Sequence, residues 1–193
     1  MMAHGRNGAQ PPIPQWQPAH NPVRELETTV TFLEMNSEAL HHVTPPSNVK
    51  LMLLRAENIT PGFYRYLYGT VGRDCNWHDR KLIGEQELAA LIHADGVEIW
   101  VLYVGGQPAG YFELAPRVAA TVEIEYFGLI AEFHGLGLGK WFLAEAIRAA
   151  WAKQPKRVIV ETCTLDGPAA LPLYQKLGFT AYDQKSKVMQ VAD

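Results

Sequence analysis

One glycine-rich stretch, between a predicted strand and a predicted helix, constrains the fold of this chain more than any other feature. Residues 135–139 read Gly-Leu-Gly-Leu-Gly. Strand-like residues over 121–130 precede this stretch, and apolar residues at helical spacing follow it from 138 to about 153. The first N–H groups of a helix have no partners inside it, and glycine lets a ligand approach the backbone closely. The stretch therefore predicts an anion-binding loop.

The spacing of this loop can be compared with those of known nucleotide sites. A nucleoside-triphosphate loop aligned on Gly139 and Lys140 would need a glycine at His134 and a hydroxyl residue at Trp141. A dinucleotide fingerprint that began at Gly135 would need its third glycine at Lys140. The spacing disfavours both sites. A purely structural glycine turn and a pyrophosphate loop of another kind remain as interpretations.

The rest of the chain predicts a mixed sheet flanked by helices, a fold of the α/β to α+β class. Strand patterns occupy 28–35, 49–55, 97–104, 108–114, 121–130, 157–164 and 188–191, and helical patterns occupy 61–69, 85–93, 138–153 and 168–177. Gly105 and Gly106 predict a hairpin turn and thus an antiparallel pair. Gly128 predicts a bulge or a close backbone approach. Pro172 predicts a kink in the last helix.

Composition limits the domain organisation and the classes of partner. Five prolines among the first 22 residues predict a flexible tail over 1–24, followed by a single domain over 25–193. The longest apolar run, 99–104, is far shorter than the roughly 20 residues that cross a bilayer. A net charge of -3 gives no basic footprint for nucleic acid, and two isolated cysteines give no metal motif. The first ten residues carry no secretory pattern, so we expect a cytoplasmic protein without a membrane, nucleic-acid or metal partner.

Two motifs give the loop a more specific interpretation. Residues 134–139 read His-Gly-Leu-Gly-Leu-Gly, and residues 170–179 read Ala-Leu-Pro-Leu-Tyr-Gln-Lys-Leu-Gly-Phe. The first resembles the [QR]GxGxG pyrophosphate loop of the GNAT superfamily of acyl-CoA-dependent acyltransferases. The second resembles the AxxLYxKxGF ending of the same superfamily. The resemblance covers residues 49–191 and leaves the first 48 residues outside it.

The resemblance varies in detail along the chain. Residues 63–72 and 77–80 are similar to a bacterial subgroup whose substrate is unassigned. Ala131 stands where a proline is common, His134 where glutamine or arginine is usual, and Gly167 where asparagine is frequent. These departures affect single contacts more than the family assignment.

The resemblance implies acetyl-CoA as the cosubstrate, and no metal. In this superfamily two central strands splay apart, and the pantetheine arm of the cosubstrate lies in the gap like an additional strand. The loop N–H groups and the helix dipole then hold the pyrophosphate, and backbone N–H groups near 127–129 polarise the thioester carbonyl. The residues implied in cosubstrate binding are Leu129, Ile130, Ala131, His134, Gly135, Leu136, Gly137, Leu138, Gly139, Lys140 and Ala170.

Catalysis of acyl transfer to an amine needs a group that accepts a proton from an ammonium ion with a pKa near 10. Glu123 and Glu125 lie two residues apart, on one face of a strand. Glu123 falls where histone-modifying members of the family carry their catalytic glutamate, so the resemblance favours it. Tyr174 falls on the motif tyrosine that is placed to protonate the departing thiolate. The alternatives are a solvated strand face for the two acids and a core aromatic for Tyr174.

Together these features predict an N-acetyltransferase that transfers an acetyl group from acetyl-CoA to a primary amine of a small molecule or a peptide. Because a fold does not guarantee an activity, a catalytically degenerate module that binds acyl-CoA as a sensor or partner is the alternative. The sequence does not name the acceptor, and it is compatible with a homodimer.

Overall fold

The computed structural model describes residues 23–39, 42–75 and 77–192. Within these ranges the strands are β1 (Val23–Met35), β2 (Leu51–Arg55), β3 (Glu98–Val104), β4 (Gln107–Arg117), β5 (Thr121–Leu129), β6 (Arg157–Cys163) and β7 (Thr180–Ala192). The α-helices are α1 (Pro61–Val71), α2 (Asp79–Leu82), α3 (Glu85–Ile92), α4 (Leu138–Trp151) and α5 (Ala170–Lys176). Two short 3-10 turns cover Gly72–Cys75 and Ala131–Phe133.

All the described strands belong to one sheet, in the order β2-β3-β4-β5-β6-β1-β7. Neighbouring strands pair antiparallel, except β5 and β6, which pair in parallel and are connected through α4. The predicted fold class, a mixed and mostly antiparallel sheet flanked by helices, is confirmed.

Strand β1 lies inside the sheet, although it precedes the part of the sequence that carries the family motifs. It pairs antiparallel with β6 on one side and with β7 on the other. The strand begins at Val23, so Val23 and Arg24 belong to the sheet and not to the predicted tail. Residues 1–22 lie outside the described residues.

The parallel pair at the centre of the sheet opens into a V. Strands β5 and β6 pair only over residues 121–124 and 157–160, although β5 continues to Leu129 and β6 to Cys163. Beyond Ile124 the two strands diverge. The splayed central strands implied by the resemblance are therefore present.

A bulge in β5 accompanies this divergence. The register of β5 against β4 skips Glu125, which is the extra residue. The sequence predicted either a bulge or a close approach at Gly128, and the bulge lies earlier in the strand, at Glu125. Gly128 instead permits a close approach, because a Cβ atom there would lie 2.5 Å from Cγ1 of Val71 in α1.

Two apolar layers cover the faces of the sheet. Helices α4 and α5 pack on one face, where Phe142 and Phe179 are buried against the strands. Helices α1 and α3 pack on the other face, where Tyr64, Leu67 and Leu88 are fully buried. Among the described residues, no helix has both the length and the apolar composition to cross a membrane.

Helix α5 begins at Ala170, later than the predicted start at 168. Pro172 therefore lies in the first turn, where a missing N–H group removes no intrahelical hydrogen bond. The kink predicted at Pro172 is therefore not required, because no hydrogen bond of the helix is lost there. The helix ends before Gly178, whose φ of 98° confirms the glycine predicted just past the end of the helix.

Candidate functional site

A cleft of about 580 Å³ occupies the V between β5 and β6. Residues 124–129 of β5 and 160–163 of β6 form its two sides. One end lies beside Tyr174 of α5, and the other lies beside Tyr68 of α1 and Trp77. The cleft thus connects the face of the sheet that carries α4 and α5 with the face that carries α1.

The glycine loop lies at one end of this cleft. Gly135 and Gly137 have φ angles of 76° and 74°, which are left-handed conformations that glycine adopts at little cost. Gly137 is the N-cap residue of α4 and supplies no capping side chain. A Cβ atom at Gly135 would meet nothing within 4 Å. The first N–H groups of α4 therefore form an open anion-binding site.

The end of β5 connects this loop with the cleft. The Ile130 N–H donates to the Ala109 carbonyl at 2.8 Å, so the backbone N–H and C=O groups of Ile130 face β4. By the alternation of an antiparallel ladder, the Leu129 N–H and C=O then face the cleft. A ring nitrogen of His134 lies 3.1 Å from the Leu129 carbonyl oxygen. Of the residues implied in cosubstrate binding, Leu129, Ala131, His134 and Ala170 line the cleft, and Ile130 is buried.

Tyr174 is a core residue that also reaches the cleft. Its ring packs against Phe127 and Phe179 at centroid distances of 6.3 and 5.9 Å, and only 6% of the residue is exposed. It also lines the cleft. Burial, with a smaller contribution from the charge of Asp166, raises the pKa of the Tyr174 phenol. The hydroxyl therefore keeps its proton at neutral pH and can serve as a hydrogen-bond donor.

The two candidate bases occupy different environments. Glu123 is 9% exposed and accepts a hydrogen bond from Arg117 Nε at 2.6 Å, and it is not among the residues that line the cleft. Glu125, the bulge residue, lines the cleft and accepts a hydrogen bond from Nη2 of the same arginine. The structure therefore brings Glu125 to the cleft and leaves Glu123 behind it.

A buried ionic network extends from Glu125. Arg80 Nη2 lies 3.7 Å from Glu125 Oε1 and 3.4 Å from Glu113 Oε1. Glu113 is 1% exposed, and the Tyr64 hydroxyl donates to its Oε2 at 2.6 Å. Burial raises the pKa of Glu113, whereas the Tyr64 hydrogen bond and the Arg80 charge oppose the rise. This network was not predicted from the sequence, although the charge of Glu113 within the apolar run 109–115 was a signal for it.

Three aromatic residues in and beside α1 and in β5 also line the cleft: Tyr68, Trp77 and Tyr126. Their ring centroids lie 5.4 Å apart for Tyr68 and Trp77, 5.1 Å for Tyr68 and Tyr126, and 5.0 Å for Trp77 and Tyr126. Burial raises the pKa of both phenols, so both stay neutral. The guanidinium of Arg80 lies 5.4 Å from the Tyr126 centroid. Both Tyr64 and Tyr68 of α1 are buried core residues, and of the two only Tyr68 also lines the cleft.

Other titratable groups of the cleft lie near β6. Burial, and then the charge of Glu123, raises the pKa of Glu161, and Lys187 lies 3.9 Å from its carboxylate. Cys75 and Cys163 are free thiols that also line the cleft. Burial raises the pKa of Cys75, which keeps this thiol protonated. The described residues contain no cluster of three or more His, Cys, Asp or Glu side chains suited to a metal ion.

Comparison with known families gives one match over most of the chain. The model of the Acetyltransferase (GNAT) family matches residues 59–179, which include the glycine loop, the cleft-lining part of β5 and all of α5. A search of curated proteins gave no match.

Comparison with solved structures gives many matches, and the three that follow are 14–21% identical to this chain. A conserved protein of unknown function from Staphylococcus epidermidis has a TM-score of 0.62 at 21% identity, over 88% of this chain and 64% of that protein. A GNAT-family protein from Novosphingobium aromaticivorans has a TM-score of 0.58 at 14% identity, over 92% and 70%. An aminoglycoside N-acetyltransferase in complex with CoA has a TM-score of 0.53 at 15% identity, over 72% and 94%. At these identities the similarity establishes the fold.

Proposed function

This chain belongs to the GNAT acetyltransferase family, and on that premise we propose that it transfers an acetyl group from acetyl-CoA to a primary amine of a small molecule or peptide. The observation that carries the proposal is one continuous cavity. The cleft between the splayed strands runs from His134, which begins the glycine loop, to the aromatic and carboxylate groups beside α1. A cosubstrate and an acceptor can therefore approach each other from opposite faces of the sheet.

The residues of the loop and of β5 fit acetyl-CoA. The open N–H groups at the start of α4, next to left-handed Gly135 and Gly137, suit a pyrophosphate. The cleft-facing N–H and C=O groups of Leu129 suit the amide groups of a pantetheine arm. The arm would lie like an additional strand in the gap where β5 and β6 no longer pair. Acetyl-CoA supplies a thioester whose carbonyl carbon is attacked by the acceptor nitrogen.

We assign proton removal from the acceptor ammonium to Glu125, directly or through one water, and not to Glu123 as the resemblance implied. Glu125 lines the cleft, whereas Glu123 is engaged with Arg117 outside it. In the reaction the ammonium nitrogen loses one proton to the carboxylate, the N–C bond forms, and the C–S bond breaks as the nitrogen loses a second proton, which balances the proton taken up by the departing sulfur. Glu123 and Arg117 then act as positioning residues for the Glu125 carboxylate.

We assign stabilisation of the departing sulfur to Tyr174. Burial raises the pKa of the Tyr174 phenol, so the phenol is a weaker acid than a thiol with a pKa near 8.5. The hydroxyl therefore donates a hydrogen bond to the developing charge, while the proton that completes the thiol comes from solvent or the acceptor. Backbone N–H groups around 127–129 would polarise the thioester carbonyl.

The identity of the acceptor is a separate question. The neighbours named above include an aminoglycoside N-acetyltransferase, which supports an amine acceptor in general. A module that binds acyl-CoA without turnover is the alternative, and it predicts CoA binding without thiol release. The homodimer and the cytoplasmic location remain predictions.

The test of the proposed function is acetyl-CoA-dependent thiol release with a panel of amines, with mass spectrometry of each acceptor. We expect one free CoA thiol for each acetylated amine. Glu125→Gln should lower kcat by about 100-fold, the scale of one acid-base group, with acetyl-CoA affinity nearly unchanged. Glu123→Gln is the matched control and should lower kcat by less than about 10-fold. Binding of acetyl-CoA without product from any amine would favour the binding module.

A further inference from the structure

The acceptor end of the cleft is bounded by ring faces and by one cluster of charges. Tyr68, Trp77 and Tyr126 form a continuous aromatic wall. Each of the three also lines the cleft. An aromatic wall of this kind contacts apolar groups through buried area and contacts organic cations through its ring faces.

The cluster of charged side chains contains more carboxylates than guanidinium groups. Arg80 contacts Glu113 and Glu125, and Arg117 contacts Glu123 and Glu125. Three carboxylates thus share two guanidinium groups, so the fully ionised network has one negative charge in excess. Only Glu125 of these five residues lines the cleft, so a cation in the cleft reaches the excess charge there.

The aromatic wall and the excess charge are adjacent. Glu125 and Tyr126 are consecutive residues, and the Arg80 guanidinium contacts both the Glu125 carboxylate and the Tyr126 ring. A ligand with an ammonium group beside Glu125 would therefore place the rest of its body against the rings.

The other acidic groups of the cleft already have partners. Asp79 lies 3.3 Å from His78 Nε2, and Asp166 accepts hydrogen bonds from the Thr162 hydroxyl and the Cys163 N–H. Lys187, itself a cleft residue, lies 3.9 Å from Glu161. The donors to Asp166 are neutral and do not cancel its charge, so the aromatic wall, rather than the number of charges, is the feature that selects the acceptor.

We infer that the acceptor is an amine with an apolar, preferably aromatic, body, with an ammonium group beside Glu125 and its body against Tyr68, Trp77 and Tyr126. This inference rests on the proposed function and names its substrate class. Burial of a phenyl-sized group and its contact with the rings favour such an amine over a short alkylamine by about 10- to 100-fold in kcat/KM.

The experiment compares four probes with the full chain at saturating acetyl-CoA: 2-phenylethylamine, ethylamine, spermidine and an aminoglycoside. The measured quantity is kcat/KM from thiol release. We expect 2-phenylethylamine to exceed ethylamine by about 10- to 100-fold and to exceed both polycations. A polycation as the preferred acceptor would overturn the inference and leave the proposed function intact. If none of the four amines releases thiol but another amine of the panel does, the inference fails and the proposed function stands, whereas thiol release from no amine, although acetyl-CoA raises the melting temperature, would remove both.

A pair of tryptophan variants separates recognition by the wall from a general effect on stability. Trp77→Leu removes a ring of the wall and should reduce the preference for 2-phenylethylamine over ethylamine by at least about 5-fold. Trp100→Leu makes the same change in β3, where the ring stacks on Phe112 and does not line the cleft. The control should keep the wild-type preference. An unchanged preference in Trp77→Leu, or an equal loss in both variants, would contradict recognition by the wall.

Discussion

Substitution of Gly137 tests whether the start of α4 holds the pyrophosphate. Gly137 is exposed, has a φ of 74° and caps α4. The nearest atom to an added Cβ is Cγ of Pro46, at 3.9 Å, so a side chain has room. Asparagine and aspartate are the residues after glycine that best tolerate a left-handed backbone. Gly137→Asp and Gly137→Asn therefore have nearly the same shape and differ by one negative charge.

The expected difference follows from the charge and the exposure of the site. Two like charges 5 Å apart repel by about 3 kcal/mol at an effective dielectric constant of about 20, and by less than about 1 kcal/mol in water. Gly137 is exposed, so solvent screening places the repulsion between an aspartate there and a pyrophosphate between these limits, at about 1.4–2.8 kcal/mol. Acetyl-CoA should therefore bind about 10- to 100-fold more weakly to the Asp variant than to the Asn variant.

The assay is isothermal titration of acetyl-CoA into both variants at low and at high ionic strength. Because salt screens exposed charges, the difference between the variants should shrink as salt is added. Their melting temperatures should agree within a few degrees, which shows that both variants fold. If the Asp and Asn variants bind acetyl-CoA with equal affinity at low salt, the pyrophosphate does not lie at this loop.

Further substitutions test the chemistry and the scaffold of the cleft. Tyr174→Phe keeps the ring packing and should slow the single-turnover acetyl transfer by about 10- to 100-fold, and an unchanged rate would make the residue purely structural. Tyr64→Phe removes the 2.6 Å donor to buried Glu113 and should lower the free energy of unfolding in urea by about 1.5–3 kcal/mol, whereas a change near zero would show that the bond does not contribute. Gly110→Ala would place a Cβ atom 2.5 Å from a backbone carbonyl of β5 and should destabilise by about 1–3 kcal/mol. Gly62→Ala, where an added Cβ meets nothing within 4 Å, should be neutral or stabilising, and equal effects of the two alanines would contradict the packing argument.

The parts of the fold with local signals were predictable from the sequence. The hairpin at Gly105 and Gly106 follows from turn chemistry, and both glycines have positive φ angles. The order of strand, glycine loop, helix and strand was predictable because the spacing of apolar residues changes from strand-like before 135–139 to helical after it. Together with the motif at 170–179, this local order was sufficient to indicate the family.

The parts that depend on distant pairing were not predictable. Strand β1 enters the sheet through partners such as Cys163, which pairs with Val30 across more than half of the chain. A weak local alternation carries no information about such a partner. The bulge at Glu125 depends on the register against β4. The sequence placed Glu123 and Glu125 on one strand face, whereas in the structure Glu125 is the bulge residue and lines the cleft, and Glu123 does not.

The charged network behind the cleft also arises from tertiary contacts. Arg80 lies in α2, whereas Glu113 and Arg117 both lie in β4, and none of them belongs to the two family motifs. A charge within an apolar strand indicates that a partner must exist, because a buried charge is costly without one. It does not indicate which residue provides the partner, since that depends on how α2 packs against the sheet.

The most direct test of the account is a crystal structure of the full chain with acetyl-CoA. If acetyl-CoA binds in the cleft as proposed, the pyrophosphate will lie within hydrogen-bond distance of the N–H groups of 135–140. The pantetheine arm will lie between Leu129 and β6, and the sulfur will lie beside the Tyr174 hydroxyl. A cosubstrate bound elsewhere, or a cleft that closes by pairing of β5 with β6 when acetyl-CoA is present, would contradict the account.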